Sequence, residues 1–477
     1  MNEKKSAIGV FENFAEEYLN FEKTPKKNIF WLDTMEFLCK RLSNPQDCCP
    51  SFHVAGSKGK GSISKMIACI LEEAGYYTGL YSSPHILNFN ERIGTVSGPF
   101  PEEVYEKSVK QLIDSITSIK TEELPGKRPV TWFELATLLG MLCFKNAGIK
   151  YAVYEVGLGG RLDATNVITP LCSCISQIEL EHTEYLGNTE ELIAAEKGGI
   201  IKQEIPVIVS GQKESVKNVF RKIAKEKNAP IIFTDECCKI SKIVYKNTQQ
   251  NSTGYQDVYF FRQNSVKMCF SLDSEKFSRP LNVSLLLLGE FQARNAAVAS
   301  LAVKTVFPNL DESIIEKGLE KTVLPGRFEP VDLSTSRFEN ISNLILDGAH
   351  TVKSIGFTMD TFCNLFSNAK TDSYLLFACA SDKKAEEIAE LFKGKFSHII
   401  LTVPGGTKES DFPRLKAAFE KSGIEYTAIP DYLKAIPYIL SKAAEEKATV
   451  LVTGSFYLVA EVKKYLLAQK TIIQFSH

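Results

Sequence analysis

Short apolar runs alternate with stretches of helical period along most of the chain. Residues 51–55 read as a buried strand. The stretch after them sets Ile63, Met66, Ile67, Ile70, Leu71 and Ala74 on one helix face. The same alternation predicts strands at 77–81, 150–156, 171–180, 206–210 and 230–234. It predicts helices at roughly 101–120, 132–147 and 190–197, with Trp132, Leu135, Ala136, Leu139 and Leu142 as the buried face of the second. Residues 1–50 read as a helical lead-in, 11–21 and then 30–42, where Trp31, Met35, Leu38 and Leu42 share a face. Its expected role is a structural lid.

From about 235 to 288 the period shortens. Short β-prone runs are expected at 240–245, 258–261 and 266–272, and in the last Val266, Met268, Phe270 and Leu272 alternate strictly. Residues 285–288 then run through 289–295 into a helix expected at 296–306. Pro325-Gly326-Arg327-Phe328-Glu329 reads as a linker. Beyond it, strands at 344–346, 374–378, 398–402 and 449–453 alternate with helical patterns, which implies a parallel, doubly wound sheet. The expected architecture is α/β: a domain over 1–325 with a β-rich flank at about 235–288, a linker at 326–330, and a smaller domain over 331–477.

Composition changes little in this picture. A chain of 477 residues with 56 basic and 57 acidic side chains has room for two or three domains, and its charge gives no sign of a nucleic-acid partner. No apolar run is long enough to span a membrane, and the N-terminal stretch lacks the apolar core of a signal peptide, so a cytoplasmic protein is expected. The 12 cysteines are scattered, with Cys172 and Cys174 on one side of a strand, and read as buried free thiols.

Candidate chemistry gathers where predicted strands end. Val54-Ala55-Gly56-Ser57-Lys58-Gly59-Lys60-Gly61-Ser62 lies between a strand and a helix, the context of a phosphate-binding loop. Glycines there let backbone amides approach phosphate, the helix N-terminus adds positive charge, Lys60 reaches the terminal phosphates, and a hydroxyl at Ser62 can hold magnesium. The match to the common pattern is imperfect: Val54 stands where a glycine is usual, and Ser62 comes one place late. Ser83 and His85 follow the strand at 77–81, Glu155 ends an apolar strand, and His182 follows another. Glu155 is the natural magnesium partner from a second strand. Asp347-Gly348-Ala349-His350 ends the first strand of the second unit.

These motifs, in this order, resemble the folylpolyglutamate synthase/dihydrofolate synthase family of the Mur ligase superfamily. The resemblance rests on HVAGSKGKGS (53–62), SSPH…NERI (82–93), EVGLGGRLDATN (155–166), EH…LGNT…EKGGIIK (181–202), PGRFE (325–329), DGAH (347–350) and GSFYLV (454–459). It implies ATP-dependent ligation of L-glutamate to a folate or dihydropteroate carboxylate through an acyl phosphate, with Mg²⁺, in a cleft between two domains of a monomer. By position it assigns Gly59, Lys60, Gly61, Ser62, Asn295, Arg327, Asp347 and His350 to nucleotide. Ser62, Ser83, Glu155 and His182 go to metal. Lys60, Lys197 and His182 go to catalysis, Lys197 as a carbamylation position. Ser57-Lys58, Glu181, Phe291 and Thr351-Val352 stand where the family usually has Thr-Asn, Asp, His and Asn-Pro. A Mur-type ligase for another acyl substrate, or a nucleotide-binding paralogue without ligation, are the alternatives.

Overall fold

The computed structural model describes residues 6–20, 32–247, 266–366, 372–406 and 409–475. Among them the chain separates into two units. The first takes Met1–Lys242, Phe270–Ser284 and Gln292–Thr322, and the second Ile243–Cys269, Leu285–Phe291 and Val323–His477.

The first unit is built on β1 (Ser51–Ala55), β2 (Thr78–Tyr81), β3 (Ile93–Thr95), β4 (Gly98–Pro99), β5 (Tyr151–Glu155), β6 (Cys172–Ile175), β7 (Val207–Val209) and β8 (Ile231–Phe233). Their order is β4-β3-β2-β5-β1-β6-β7-β8. The strands β2, β5, β1, β6, β7 and β8 are parallel, and β3 and β4 extend one edge antiparallel. β1 is buried at every position, as a strand covered on both faces must be. The chain leaves β1 toward β2 on one side and leaves β6 toward β7 on the other. Their adjacent carboxyl ends are therefore a topological switch point, where open α/β sheets bind ligands.

The Trp132–Ala147 helix matches its expected bounds. Thr131 and Glu134 form its capping box and Gly148 closes it in the left-handed region. Arg128 grips Glu134 through two nitrogens, 3.1 and 2.5 Å. The lead-in contributes the helices Ala7–Ala15 and Asp33–Arg41, whose Phe11, Met35 and Leu38 join a core with Phe89, Tyr105 and Trp132. Each such side chain contributes about 1.5–3 kcal/mol of burial. Phe21, Phe30 and Trp31, and the strand expected at 258–261, lie outside the described residues.

A separate three-stranded sheet, order β11-β10-β9, comprises β9 (Lys239–Asn247), β10 (Val266–Asp273) and β11 (Leu281–Leu285). The run at 285–288 follows directly on β11, which ends at Leu285. The following helix begins at Glu290, six residues earlier than expected. Gly289, with φ +108°, makes the turn, and Glu290 through Arg294 are mostly good helix formers that need no loop.

The second unit holds β12 (Glu329–Pro330), β13 (Asn343–Leu346), β14 (Ser373–Phe377), β15 (His398–Leu401), β16 (Thr427–Ala428) and β17 (Thr449–Thr453). Their order is β12-β13-β17-β14-β15-β16. All pairs are parallel except β12–β13, so part of the expected linker is an antiparallel edge strand. All 12 cysteines are free, but six are only half-buried, Cys48, Cys49, Cys237 and Cys238 among them.

Candidate phosphate-loop site and the carboxyl edge of the second sheet

β1 turns at Gly56 and Gly59, with φ +138° and +93°, before the helix starts at Lys60. A Cβ at Gly59 would stand 2.5 Å from Asn295 Oδ1, and one at Gly56 would stand 1.8 Å from Ser176 Oγ. Only glycine fits either place. The loop is stitched to the segment leaving β6: the amides of Ser57 and Lys58 donate to Gln177 O at 3.0 and 3.4 Å. Ser57 Oγ donates to Glu179 O and accepts from Glu179 N. Those two loop amides are thus committed within the protein. No side chain caps the helix that follows, which leaves its leading amides facing an anion's position. Lys60 folds back so that Nζ donates to Gly56 O at 3.1 Å.

A second lysine meets the same carbonyl. Lys197, near the end of the Glu190–Gly198 helix, is 2% exposed and donates to Gly56 O at 2.8 Å and Glu181 Oε1 at 3.1 Å. This is the position for which the resemblance implies carbamylation. Burial lowers its pKa to about 8, against the pull of Glu181 and with repulsion from Lys60. Burial alone would raise the Glu181 carboxyl, but Lys197, Lys58, Lys60 and His182 hold it well below the usual range. Lys58 closes the group, 3.3 Å from Glu181 Oε2.

The expected metal residues stand at the same sheet edge. Glu155, the last residue of β5, is buried and lies in register beside Val54 of β1. Ser83 N donates to Glu155 Oε2 at 3.2 Å. Ser62 is buried in the first turn after the loop. His182 sits just before a short helix in left-handed conformation, φ +47°. The turn carrying Ser83 is held by Glu91, whose carboxylate accepts from the amides of Ile86, Leu87 and Asn88. Arg92 is fully buried over the Trp132 ring and donates to His85 Nδ1 at 2.8 Å.

The 155–166 motif proves to be a positioning device. Asp163 accepts from the amides of Gly157 and Leu158 on Oδ2 and of Thr165 on Oδ1, each at 3.0 Å. Burial nonetheless raises its pKa. Thr165 Oγ1 donates to Asp163 Oδ1 and meets His53 Nε2 at 2.8 Å. The loop so fixed abuts the backbone at Lys197: a Cβ at Gly160 would stand 2.8 Å from Lys197 O. Asn166 Nδ2 adds bonds to Arg161 O and Gly199 O. Neither Asp163 nor His53 was expected as part of the site. Their partners lie on other elements, so no local pattern marks them.

Asn295 sits on the Glu290–Val306 helix and donates to Gln292 Oε1 at 2.9 Å. Gln292 is fully buried and its Nε2 has no partner, a further site candidate the sequence reading did not pick out. Phe291, where the resemblance leads one to expect His, stacks on Phe357 at 5.4 Å.

In the second unit Arg327, Asp347 and His350 come together. Asp347 Oδ2 accepts from Phe328 N and Oδ1 from Ala349 N, both at 2.7 Å. Burial raises its pKa against those amides and the Arg327 charge. Arg327 lies 4.1 Å over the Phe456 ring, and His350 Nδ1 meets Gly348 O at 2.8 Å. Gly326 N donates to Glu329, which is buried with Lys463. PGRFE, DGAH and GSF are thus one cluster at the carboxyl end of β13.

A phosphate loop at a switch point, an acid from the neighbouring strand and a second α/β unit define an ATP-dependent ligase of the Mur type. The family models agree: the Mur ligase middle domain matches residues 103–303, and the Mur ligase, glutamate ligase domain matches 326–456. The dihydrofolate synthase/folylpolyglutamate synthase of Bacillus subtilis (strain 168) is 30% identical over 446 residues, covering 91% of this chain and 94% of that one. A probable dihydrofolate synthetase of Schizosaccharomyces pombe is 31% identical over 451 residues, 91% and 98% of the two chains. The folylpolyglutamate synthase structure of Thermotoga maritima aligns with TM-score 0.76 at 26% identity over 97% of this chain and 96% of that one. The chain belongs to the folylpolyglutamate synthase/dihydrofolate synthase family.

Proposed function

We propose that the chain joins L-glutamate to a folate or dihydropteroate carboxylate at the expense of ATP. The observation that carries the site assignment is the uncapped helix N-terminus at the β1/β6 switch point, with Lys60 and Lys197 both turned onto Gly56 O. In this reading the amides of Gly59, Lys60, Gly61 and Ser62 receive phosphate oxygens. The substrate carboxylate attacks the γ-phosphorus, ADP leaves, and an acyl phosphate forms. The amine of glutamate then adds to the acyl carbon, the amide forms, and phosphate and a proton are released. Lys60 and Lys197 steady charge on the transferring phosphoryl group. Asn295, Arg327, Asp347 and His350 are assigned to the nucleotide as the resemblance implies.

Magnesium fits the donors available. It favours oxygen ligands, keeps several waters and needs only one or two carboxylates beside phosphate. Among the described residues no three His, Cys, Asp or Glu cluster as a cage, while Glu155 gives a buried carboxylate bonded to the amide of Ser83. Ser62, Ser83, Glu155 and His182 would hold the ion, which offsets phosphate charge when bound. The proposal keeps 1–325 and 331–477 as the functional domains and takes the protein as a cytoplasmic monomer. No helix among the described residues is long and apolar enough to cross a membrane.

The test is phosphate release from ATP–Mg²⁺ with L-glutamate, offering dihydropteroate and tetrahydrofolate separately and reading products by mass. A gain of one glutamyl unit on either acceptor supports the ligase and names its step. Phosphate release indifferent to both acceptors and to glutamate would sink it.

A further inference from the structure

We propose that Lys58 is an additional phosphoryl-binding cation of this chain, parked on Glu181 until polyphosphate takes that carboxylate's place. The inference rests on the reading that nucleotide binds at the 56–62 loop. Its first support is position. Lys58 lies inside the loop, and its backbone is fixed by pairing with Gln177. The side chain therefore moves from a rigid base.

Its second support is the way partners are shared. Glu181 divides its two oxygens between Lys58 at 3.3 Å and Lys197 at 3.1 Å. Lys197 and Lys60 both donate to Gly56 O. Three ammonium groups thus lean on one carboxylate and one carbonyl. If Lys58 leaves, Glu181 keeps Lys197 and no buried charge is stranded, so release costs little.

Its third support is freedom to move. The Lys58 side chain is 25% exposed, against 2% for Lys197. A phosphate chain offers several ionised oxygens and makes charge-assisted bonds stronger than half of a shared carboxylate can. A compact ammonium on a flexible stem suits that exchange of partner.

The experiment titrates the full chain, Lys58→Met and Lys58→Arg with ATP, AMP and inorganic tripolyphosphate by calorimetry, and measures KM for ATP and kcat. For Lys58→Met, affinity for ATP and tripolyphosphate should fall about tenfold while AMP is unchanged, as loss of one charge-assisted contact predicts. KM for ATP should rise more than kcat falls, and Lys58→Arg should recover most of the affinity. Unaltered ATP and tripolyphosphate affinity in Lys58→Met overturns the inference and leaves a structural ion pair. An equal loss for AMP overturns it too, as distortion of the loop. If the unchanged chain binds no ATP, the nucleotide reading itself fails.

Discussion

His53 shows what a single side chain costs and returns at this site. It lies mid-strand in β1, fully buried, with Nε2 on Thr165 and Nδ1 unpartnered. Burial, with help from the Lys202 charge, lowers its pKa to about 3. The unfolded imidazole takes up a proton below about 6.5, while the folded one stays neutral until about 3. Protons are thus bound by the unfolded state across that window, so stability falls as pH drops through it and is fully present above it. Urea melts from pH 7 to 3.5 should show His53→Asn losing less stability on acidification than the unchanged chain, by up to a few kcal/mol. Parallel slopes would contradict this. For Lys60, removal of a charge from the transferring phosphoryl group should cost roughly a hundredfold or more in kcat. Lys60→Met, assayed by coupled product formation, reads it. Lys60, Ser62, Glu155 and His182 could be named as candidates because each ends or follows a strand in a local motif. His53, Asp163 and Gln292 were not, because their meaning comes from partners on other elements.

At the scale of elements, the 155–166 loop and the Glu190–Gly198 helix form one unit through backbone approach. A methyl at Gly160 meets Lys197 O at 2.8 Å and Glu196 O at 2.9 Å, both main chain and unable to step aside. Gly160→Ala should therefore cost about 1–3 kcal/mol in urea denaturation and depress turnover besides. Gly356, inside the Val352–Phe366 helix with nothing within 4 Å of its virtual Cβ, makes the contrast. Gly356→Ala should gain roughly 0.5–1 kcal/mol with turnover intact. A destabilised Gly356→Ala would refute the packing argument. The early start of the Glu290 helix belongs to this scale as well. The helix was expected only from residue 296, but Glu290 through Asn295 accept helix readily once Gly289 has made the turn.

For the whole molecule, ligand binding should report the phosphate site directly. ATP with Mg²⁺ at a hundred times its Kd adds about 2.7 kcal/mol to the unit that binds it. AMP at the same concentration should add far less, because in the proposed reading the uncapped helix start and Lys60 at 56–62 receive phosphates rather than base. Thermal melts with ATP, ADP and AMP test this ranking, and equal shifts for all three would place the main binding energy elsewhere.

The sequence by itself determined the alternation of strands and helices, the two α/β sheets, the phosphate loop and the order of the family's motifs. Those are local properties: a period of two or 3.6, a glycine where the chain must turn, a lysine after it. It could not determine that β1 lies between β5 and β6, which brings Glu155 to one side of the loop and Glu181 to the other. Nor could it show that Asp163 holds the glycine loop against Lys197, or that three lysines meet around Gly56 and Glu181. Strand order is set by which apolar faces bury together and by crossover handedness, and neither leaves a mark within any one segment. Only the folded chain settles which distant residues share a charge.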